Sequence, residues 1–197
     1  MLRVIEGDLR ALSLEARRRF PEVKEAAERA LQRLRIVHEQ LPDDSSLSAQ
    51  ASAVASSEEV LLPFTLALAC KSEPLVLCAL GAVQRMISHG AVPPARLPAI
   101  ASLLIARAQT ASADEGSLLK VLQTVLTIAS SPALLTTDTA VAQLLLLCLT
   151  LQQSRLPTIK STASATVQQF VALLLELAAA EADVDDKGGG GEGGGGG

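Results

Sequence analysis

The stretch from residue 61 to 90 constrains the fold most, because it predicts two apolar helices separated by a short polar break at residues 71–74. Pro74 suits the first turn of a helix, where its missing N–H has no partner to lose, and Gly90 suits the position just past the last turn. On the second helix, apolar residues recur at intervals of four, three and four, which predicts one buried face. That face contains Val76, Leu80, Val83 and Ile87; the opposite face contains Leu77, Gly81, Gln84, Arg85 and Ser88.

The composition extends the helical prediction to the whole chain. Of its 197 residues, 49% are hydrophobic but only 2% are aromatic, so that Leu, Ala and Val must fill the core. Aromatic and β-branched residues are enriched in strands, whereas Leu and Ala favour helices. The length suits one domain with a sizeable core. We therefore expect a single all-α domain.

Eight helical segments follow from the apolar periodicity and from the positions of Pro and Gly. Their lengths suit stacked helix pairs of about 40 residues, as in armadillo and HEAT arrays. We therefore predict an armadillo/HEAT-like right-handed stack of about eight amphipathic helices, although a plain helical bundle fits the same segments. The predicted helices cover residues 2–19, 21–41, 58–70, 74–88, 95–110, 114–129, 139–153 and 160–181.

Local signals refine several of these helices. Ser57 and Asp114 are predicted N-caps, because a short polar side chain in front of a helix accepts hydrogen bonds from its first free N–H groups. The apolar seam from Val23 to Leu41 could pair within the chain or across a dimer. On the helix at 114–129, polar residues form a stripe opposite the apolar face. This stripe contains Ser117, Lys120, Thr124, Thr127 and Ser131.

Two segments are predicted to lack regular structure. Residues 42–57 are small and polar, which is typical of a mobile surface loop. Residues 188–197 are glycine apart from Glu192 and follow an acidic run, and such a sequence cannot bury apolar surface. We therefore predict a helical domain over residues 1–183 and a disordered acidic and Gly-rich linker over residues 184–197.

Charge and composition argue against several classes of partner. The formal net charge is −4 and the chain has no Trp or Tyr, whereas nucleic-acid binders present a basic patch or aromatic stacking platforms. Residues 1–40 hold nine Lys/Arg and seven Asp/Glu, so that the small positive surplus is N-terminal. No apolar signal core follows Met1, and the longest apolar run, around residues 141–151, is too short to cross a bilayer. We expect a soluble protein whose membrane contact is peripheral.

No pattern in the sequence predicts catalysis. His38 and His89 have no cysteine or acid at ligand spacing, and Cys70, Cys78 and Cys148 lack the spacings of zinc or redox sites. A nucleophile frame such as G-x-S-x-G and a phosphate-binding glycine loop are also missing. We therefore predict no enzyme activity, no metal and no cofactor, and cysteines that serve as small buried residues in a reducing cytosol.

The sequence resembles a known family in several separated blocks. Residues 63–89 contain Pro-Phe, then a cysteine before Lys-Ser, then a helix ending in QRMISH. This pattern resembles the N-terminal DCB domain, for dimerisation and cyclophilin binding, shared by the large Sec-seven Arf exchange factors and their Mon-two relatives. The resemblance is to the Mon-two branch in DLRALSLE (8–15), RRRFP and VKEAAE (17–28), LLKVLQTVL (118–126) and TASATVQQ (162–169). Residues 42–57 and those from 178 onward match nothing in the family.

The resemblance implies a non-catalytic module of a larger cytoplasmic protein. Such a domain would dimerise and act as a scaffold in a protein that is peripheral on trans-Golgi network and endosome membranes. It would support vesicle-mediated and protein transport with Arf-family GTPases, by regulation or recruitment, and with a Dopey-type partner. Two alternatives are the DCB regulatory domain of a true Arf exchange factor and an unrelated helical-repeat adaptor that binds peptides.

One candidate interface involves isolated charges on apolar helices. Arg85 and Lys120 are each the lone charge on the body of such a helix, which commonly marks its solvent side. Resemblance to a dimerising domain suggests instead that these residues rim an inter-subunit groove in which Arg85 meets an acid such as Glu115. The candidate interface residues are Gly81, Gln84, Arg85, Ser88, Glu115 and Lys120.

A second candidate surface is the basic cluster near the end of the first predicted helix. It contains Arg17, Arg18, Arg19 and Lys24. Cations at a helix C-terminus are favourable by themselves, so a solvated helix end explains the cluster. The alternative is a contact for an acidic partner or an anionic membrane.

Overall fold

The computed structural model describes the backbone of residues 1–17, 19–42, 44–110, 113–131 and 138–188, and the side chains of these residues up to Ala180. Over these ranges, all regular elements are helical. The α-helices are α1 (Leu2–Ala16), α2 (Pro21–Gln40), α3 (Leu47–Ala55), α4 (Glu58–Leu68), α5 (Glu73–Ser88), α6 (Leu97–Ala108), α7 (Glu115–Ala129), α8 (Asp138–Leu151) and α9 (Pro157–Gly188), with a 3-10 turn at Pro94–Arg96.

The helices form four hairpins stacked in two rows. The hairpins are α1/α2, α4/α5, α6/α7 and α8/α9, while the short α3 packs beside α2 and α4. One row contains α1, α5, α7 and α9, and the other contains α2, α4, α6 and α8. Each helix therefore contacts its hairpin partner and its neighbours in the row, which is how repeat arrays bury one continuous core. The predicted helical-repeat stack is confirmed.

The first hairpin buries the faces that the sequence predicts. On α1 the buried residues recur every three or four positions: Leu2, Ile5, Leu9, Leu12 and Ala16. On α2 the predicted seam is buried from Val23 to Val37, while Leu41 just beyond the helix is half-buried. Because α2 packs against α1 and α4 of the same chain, this seam belongs to the core and is not a dimer contact.

Two helix boundaries differ from the prediction. α1 ends at Ala16 instead of residue 19, because Arg17 leaves the helical region with φ 42° and ψ −129°. At the other end of the chain, α9 runs to Gly188 instead of the predicted residue 181. The rest of the predicted linker, residues 189–197, lies outside the described residues.

The predicted loop at residues 42–57 contains a helix, α3. Its N-cap is Ser46, whose Oγ accepts a hydrogen bond from the N–H of Ala49 at 3.1 Å. Ala51 and Val54 are buried against the stack. Alanine is the best helix former, so a short Ala- and Ser-rich segment forms a helix once a cap and two buried contacts stabilise it.

The two predicted N-caps have different outcomes. Asp114 caps α7, since its Oδ1 accepts from the N–H of Ser117 at 2.7 Å. Ser57 precedes α4 but makes no cap hydrogen bond; its Oγ instead accepts from Nε of Arg33 on α2 at 3.0 Å. The Ser57 prediction is therefore wrong in mechanism, because a tertiary partner takes the hydroxyl.

Gly90 ends α5 in the predicted position. Its φ is +69°, in the left-handed region that favours glycine. The N–H of Gly90 donates to the carbonyl of Ile87 at 2.9 Å. The N–H of Ala91 donates to the carbonyl of Met86 at 2.8 Å. This pair of bonds is a Schellman motif, which satisfies two carbonyls left free at the helix end.

We expect Gly90→Ala to lower the free energy of unfolding by about 1–2 kcal/mol, because a Cβ disfavours positive φ. Gly7→Ala in the exposed middle of α1 is the matched control: a Cβ at Gly7 has nothing within 4 Å, and it should raise stability by about 0.5–1 kcal/mol. Urea unfolding measures both, and a Gly90→Ala protein as stable as the original would contradict the motif.

Candidate functional site

Most of the predicted interface residues lie on one side of the row α1–α5–α7. We call this the α5 surface and define it by Asp8 on α1, Leu77, Cys78, Gln84, Arg85 and Ser88 on α5, and Lys120 on α7. Each of these residues is exposed or half-buried. The surface therefore spans parts of three hairpins, held in place by the packing of α5 between α1 and α7.

Arg85 binds Asp8 across the first junction between hairpins. Its Nε donates to Oδ2 at 2.9 Å and one terminal nitrogen donates to Oδ1 at 2.5 Å, the bidentate geometry of the strongest guanidinium–carboxylate pairs. The side chains are 45% and 15% exposed, respectively. Arg85 thus joins α5 to α1 within one chain, and its guanidinium is already paired.

Gly81 provides the flat floor on which the Arg85 guanidinium lies. It is buried, and a Cβ built there would approach the two terminal nitrogens of Arg85 at 3.5 Å. Cys78, one turn earlier, is half-buried; burial, and then the nearby Asp8 carboxylate, raises the pKa of its thiol. Gly81 is therefore a packing residue of this surface and does not itself face a partner.

Gln84 connects α5 to α7. Its Nε2 donates to the carbonyl of Lys120 at 3.3 Å and to Oγ1 of Thr124 at 3.0 Å. Glu115 is the first residue of α7, five positions before Lys120, which corresponds to about 7.5 Å along the helix. Arg85 therefore meets Asp8 within the chain, and Glu115 lies more than one turn from the Gln84 contact.

The polar stripe predicted on α7 is not a solvent-facing stripe. Ser117 and Thr124 are fully buried, and both bind side chains of neighbouring helices. Lys120 and Thr127 are half-buried. Because α7 lies between α5 and α9 in its row, part of its polar side faces those helices instead of water.

The basic cluster is divided among separate contacts. Arg17 and Arg19 are exposed: Nε of Arg17 donates to the carbonyl of Leu14 at 3.0 Å, and the guanidinium of Arg19 lies 5.8 Å from the ring centre of Phe20. Lys24 lies 3.6 Å from Glu28 one turn further on α2. Arg18 lies outside the described residues, so the cluster stays a prediction.

Metal binding and thiol reactivity depend on the acids, histidines and cysteines of the described residues. No group of three or more His, Cys, Asp or Glu in this part of the chain could hold a metal ion. Burial raises the pKa of Cys148 to about 12 and raises those of Cys70 and Cys78. Since a thiolate is the reactive form of cysteine, burial disfavours the reactive form of all three thiols.

Arg107 is a buried cation that the sequence analysis did not identify. It is 3% exposed, its Nε donates to Oγ of Ser117 at 3.0 Å, and a terminal nitrogen binds the carboxylate of Glu73. The sequence does contain a sign of this burial. One face of α6 is apolar except for its last position, which is Arg107; its other residues are Leu97, Ile100 and Leu104. A charge in that register indicates a buried partner.

A groove between α4 and α6 was also not predicted. It has a volume of about 600 Å³, with apolar walls that include Leu61, Leu62, Ile100 and Leu103. The ion pair between Glu58 and Arg96 lies at its edge. Its walls come from helices separated by α5, so no local pattern could indicate it.

One helix in the described part of the chain, Pro157–Ala180 of α9, is long and apolar enough by itself to cross a membrane. The prediction that the longest apolar run is at residues 141–151 is therefore wrong. That run lies within α8. α3 and α4 reach that length only when joined across a 70° bend. α9 buries Ile159, Ala163, Thr166 and Phe170, so its first half is a packed helix of the stack.

Comparisons with known proteins agree with the helical stack. Residues 1–182 match a family described as Mon2/Sec7/BIG1-like, dimerisation and cyclophilin-binding domain. The chain is 32% identical over 181 residues to Protein MON2 homolog of Homo sapiens, which covers 92% of this chain and 10% of that protein. It is 27% identical over 187 residues to Protein MON2 of Saccharomyces cerevisiae, covering 94% of this chain and 11% of that protein. The chain thus spans about a tenth of the length of these relatives.

We expect Arg107→Met to lower the free energy of unfolding by about 2–4 kcal/mol, because it leaves Glu73 and Ser117 without their partner. Arg10→Met is the control: Arg10 pairs with Glu6 on the surface of α1 at 2.6 Å, and its loss should change stability by about 0.5 kcal/mol or less. Chemical unfolding of both variants measures the difference, and equal effects would refute the importance of the buried pair.

The Arg85–Asp8 pair predicts a rescue by charge exchange. Asp8→Arg and Arg85→Asp should each destabilise the chain by about 1 kcal/mol, since each places like charges together. The double exchange should recover most of that loss. Thermal unfolding at low and high salt measures the coupling, and additive losses in the double variant would show that the two side chains do not interact.

Proposed function

The chain belongs to the Mon2/Sec7/BIG1-like family of dimerisation and cyclophilin-binding (DCB) domains, and from that premise we propose that it is a non-catalytic module through which a larger protein dimerises and assembles with other proteins. The observation that carries this proposal is the family match over residues 1–182. It includes all of α1 to α8 and most of α9. The module would act by complementarity between rigid helical faces.

The chemistry of the described residues supports a binding role. Burial raises the pKa of the described cysteines, and polar side chains such as Gln84 and Arg107 serve as contacts between helices. What the stack offers to other molecules is therefore surface: the α5 surface, the groove between α4 and α6, and the outer side of α9.

At the level of the whole protein, we propose a role in vesicle-mediated and protein transport. The protein would be peripheral on trans-Golgi network and endosome membranes and would act with Arf-family GTPases and a Dopey-type partner. These assignments rest on the resemblance to the Mon-two branch and on relatives that carry the MON2 name. Regulation or recruitment of the GTPase would be its part, because a DCB domain is not the exchange-catalysing domain.

We assign the α5 surface to a different protein partner instead of a second copy. An inter-subunit pair between Arg85 and Glu115 would have to displace Asp8 from a bidentate contact. The groups that remain available on this side are Leu77, Ser88 and Lys120, with Glu115 at the start of α7. A partner contact that uses them leaves the Arg85–Asp8 pair intact.

One alternative function remains. A DCB regulatory domain of a true Arf exchange factor would have the same fold and faces, and the chain that follows such a domain would contain the exchange domain. The relatives named MON2 favour the first proposal. Membership of the family removes the other alternative, an unrelated helical-repeat adaptor.

Dimerisation predicts a concentration-dependent mass. We expect the full 197-residue chain to shift from about one to about two chain masses as its concentration rises, because specific interfaces are governed by mass action. Light scattering coupled to size-exclusion chromatography over a concentration series measures this shift. A monomer at every concentration would refute dimerisation by this domain and leave only a role in binding other proteins.

A further inference from the structure

α9 has an exposed apolar face over its second half. It is 32 residues long, whereas the other α-helices have 9 to 20. Its first half buries Ile159, Ala163, Thr166 and Phe170, but no residue from 171 to 180 is buried. Val171 is 41% exposed and Leu175 is 67% exposed. The second half of α9 therefore exposes apolar side chains that the described residues of the stack do not cover.

One line of residues on the wide exposed side of α9 follows the spacing of a coiled-coil seam. They recur at intervals of three and four on one side of the helix, and each is exposed or half-buried. Between residues 161 and 180 the sequence has one charge, Glu176, which lies outside the seam. We call this the α9 seam; it contains Ser161, Ser164, Gln168, Val171, Leu175 and Ala178.

We propose that two copies of the chain pack through the α9 seam, with their α9 helices antiparallel. This inference rests on the proposed dimerisation and names the surface that performs it. A contact between two identical chains with two-fold symmetry uses the same patch twice. A seam without charge meets its copy without placing like charges together, and its small residues allow the helices to approach closely.

The positions along α9 support the antiparallel register. Residue 173 lies midway between Val171 and Leu175, so a two-fold axis there places Val171 of one helix opposite Leu175 of its partner. Residue 173 also lies midway between Lys160 and Asp186, and both positions belong to α9. The same axis therefore brings the basic start of each helix level with the acidic end of the other, an arrangement that favours association.

Charge also distinguishes a second copy from a membrane surface. Helices that lie on anionic membranes carry Lys and Arg beside their apolar face. Lys160 is the single cation of the sequence between residues 157 and 180, and the following residues 181–186 contain four acids. These acids would be repelled by an anionic membrane, whereas an antiparallel copy supplies a cation to them.

The decisive variant is Leu175→Glu in the full 197-residue chain, with Leu14→Glu as its matched control. The two leucines are almost equally exposed, at 67% and 69%, but Leu14 lies on α1. We expect Leu175→Glu to weaken self-association at least tenfold, measured by light scattering or sedimentation over a concentration series, while Leu14→Glu leaves it unchanged. Circular dichroism should stay the same in both variants, and so should the melting temperature measured at concentrations where the original chain is a monomer.

The register is tested by reversing charges at Lys160 and Asp186. Lys160→Asp and Asp186→Lys should each weaken the dimer about threefold or more at low salt, and the double exchange should restore it.

A dimer that survives Leu175→Glu would overturn the α9 seam while dimerisation stands. A wild-type monomer would overturn both. If the Leu175→Glu variant still self-associates but no longer binds phosphatidylserine vesicles, the seam is a membrane contact and the proposal is wrong.

Discussion

The guanidinium of Arg107 is buried where the ends of three helices meet. It lies in the last turn of α6, bound to Glu73 at the first position of α5 and to Ser117 in the first turn of α7. A cation at a helix C-terminus and an anion at an N-terminus each complement the helix dipole. Apolar side chains tolerate sliding between helices, whereas this contact has one satisfactory geometry. It therefore ties α5 of the second hairpin to both helices of the third, and α5 and α7 carry most of the α5 surface.

Much of the fold follows from rules that act within a few residues. The buried face of α1, the Asp114 cap and the chain reversal at Gly90 were each predicted from the sequence and are confirmed. The cap and the helix end join groups within one or two turns of each other, and the buried face of α1 follows from the spacing of its apolar residues. The information needed is then contained in spacing and residue type. The same holds for the family resemblance, whose sequence blocks fall on α1, α2, α4, α5, α7 and α9.

What the sequence did not indicate depends on partners that only folding supplies. Ser57 has the residue type of a cap, but Arg33 from another helix takes its hydroxyl. Thr124 belongs to a polar stripe, but it is buried and its hydroxyl accepts a hydrogen bond from Gln84 of another helix. The helix α3 was missed because Ala and Ser alternate there without an apolar period. Of the candidate site, the positions on α5 stay a prediction from the sequence, and the pairing of Arg85 with Asp8, 77 residues away, was not predicted.

The two-row arrangement gives the first hairpin an unusual place in the order of assembly. Each later hairpin packs against the hairpin that precedes it in the chain. It can therefore dock as soon as it is synthesised. α1 pairs with α2 early, but its neighbour in the row is α5. Contacts between distant segments form late, because closing a long loop costs entropy. During synthesis, the flank of α1 that later binds Arg85 therefore stays in water until α5 emerges.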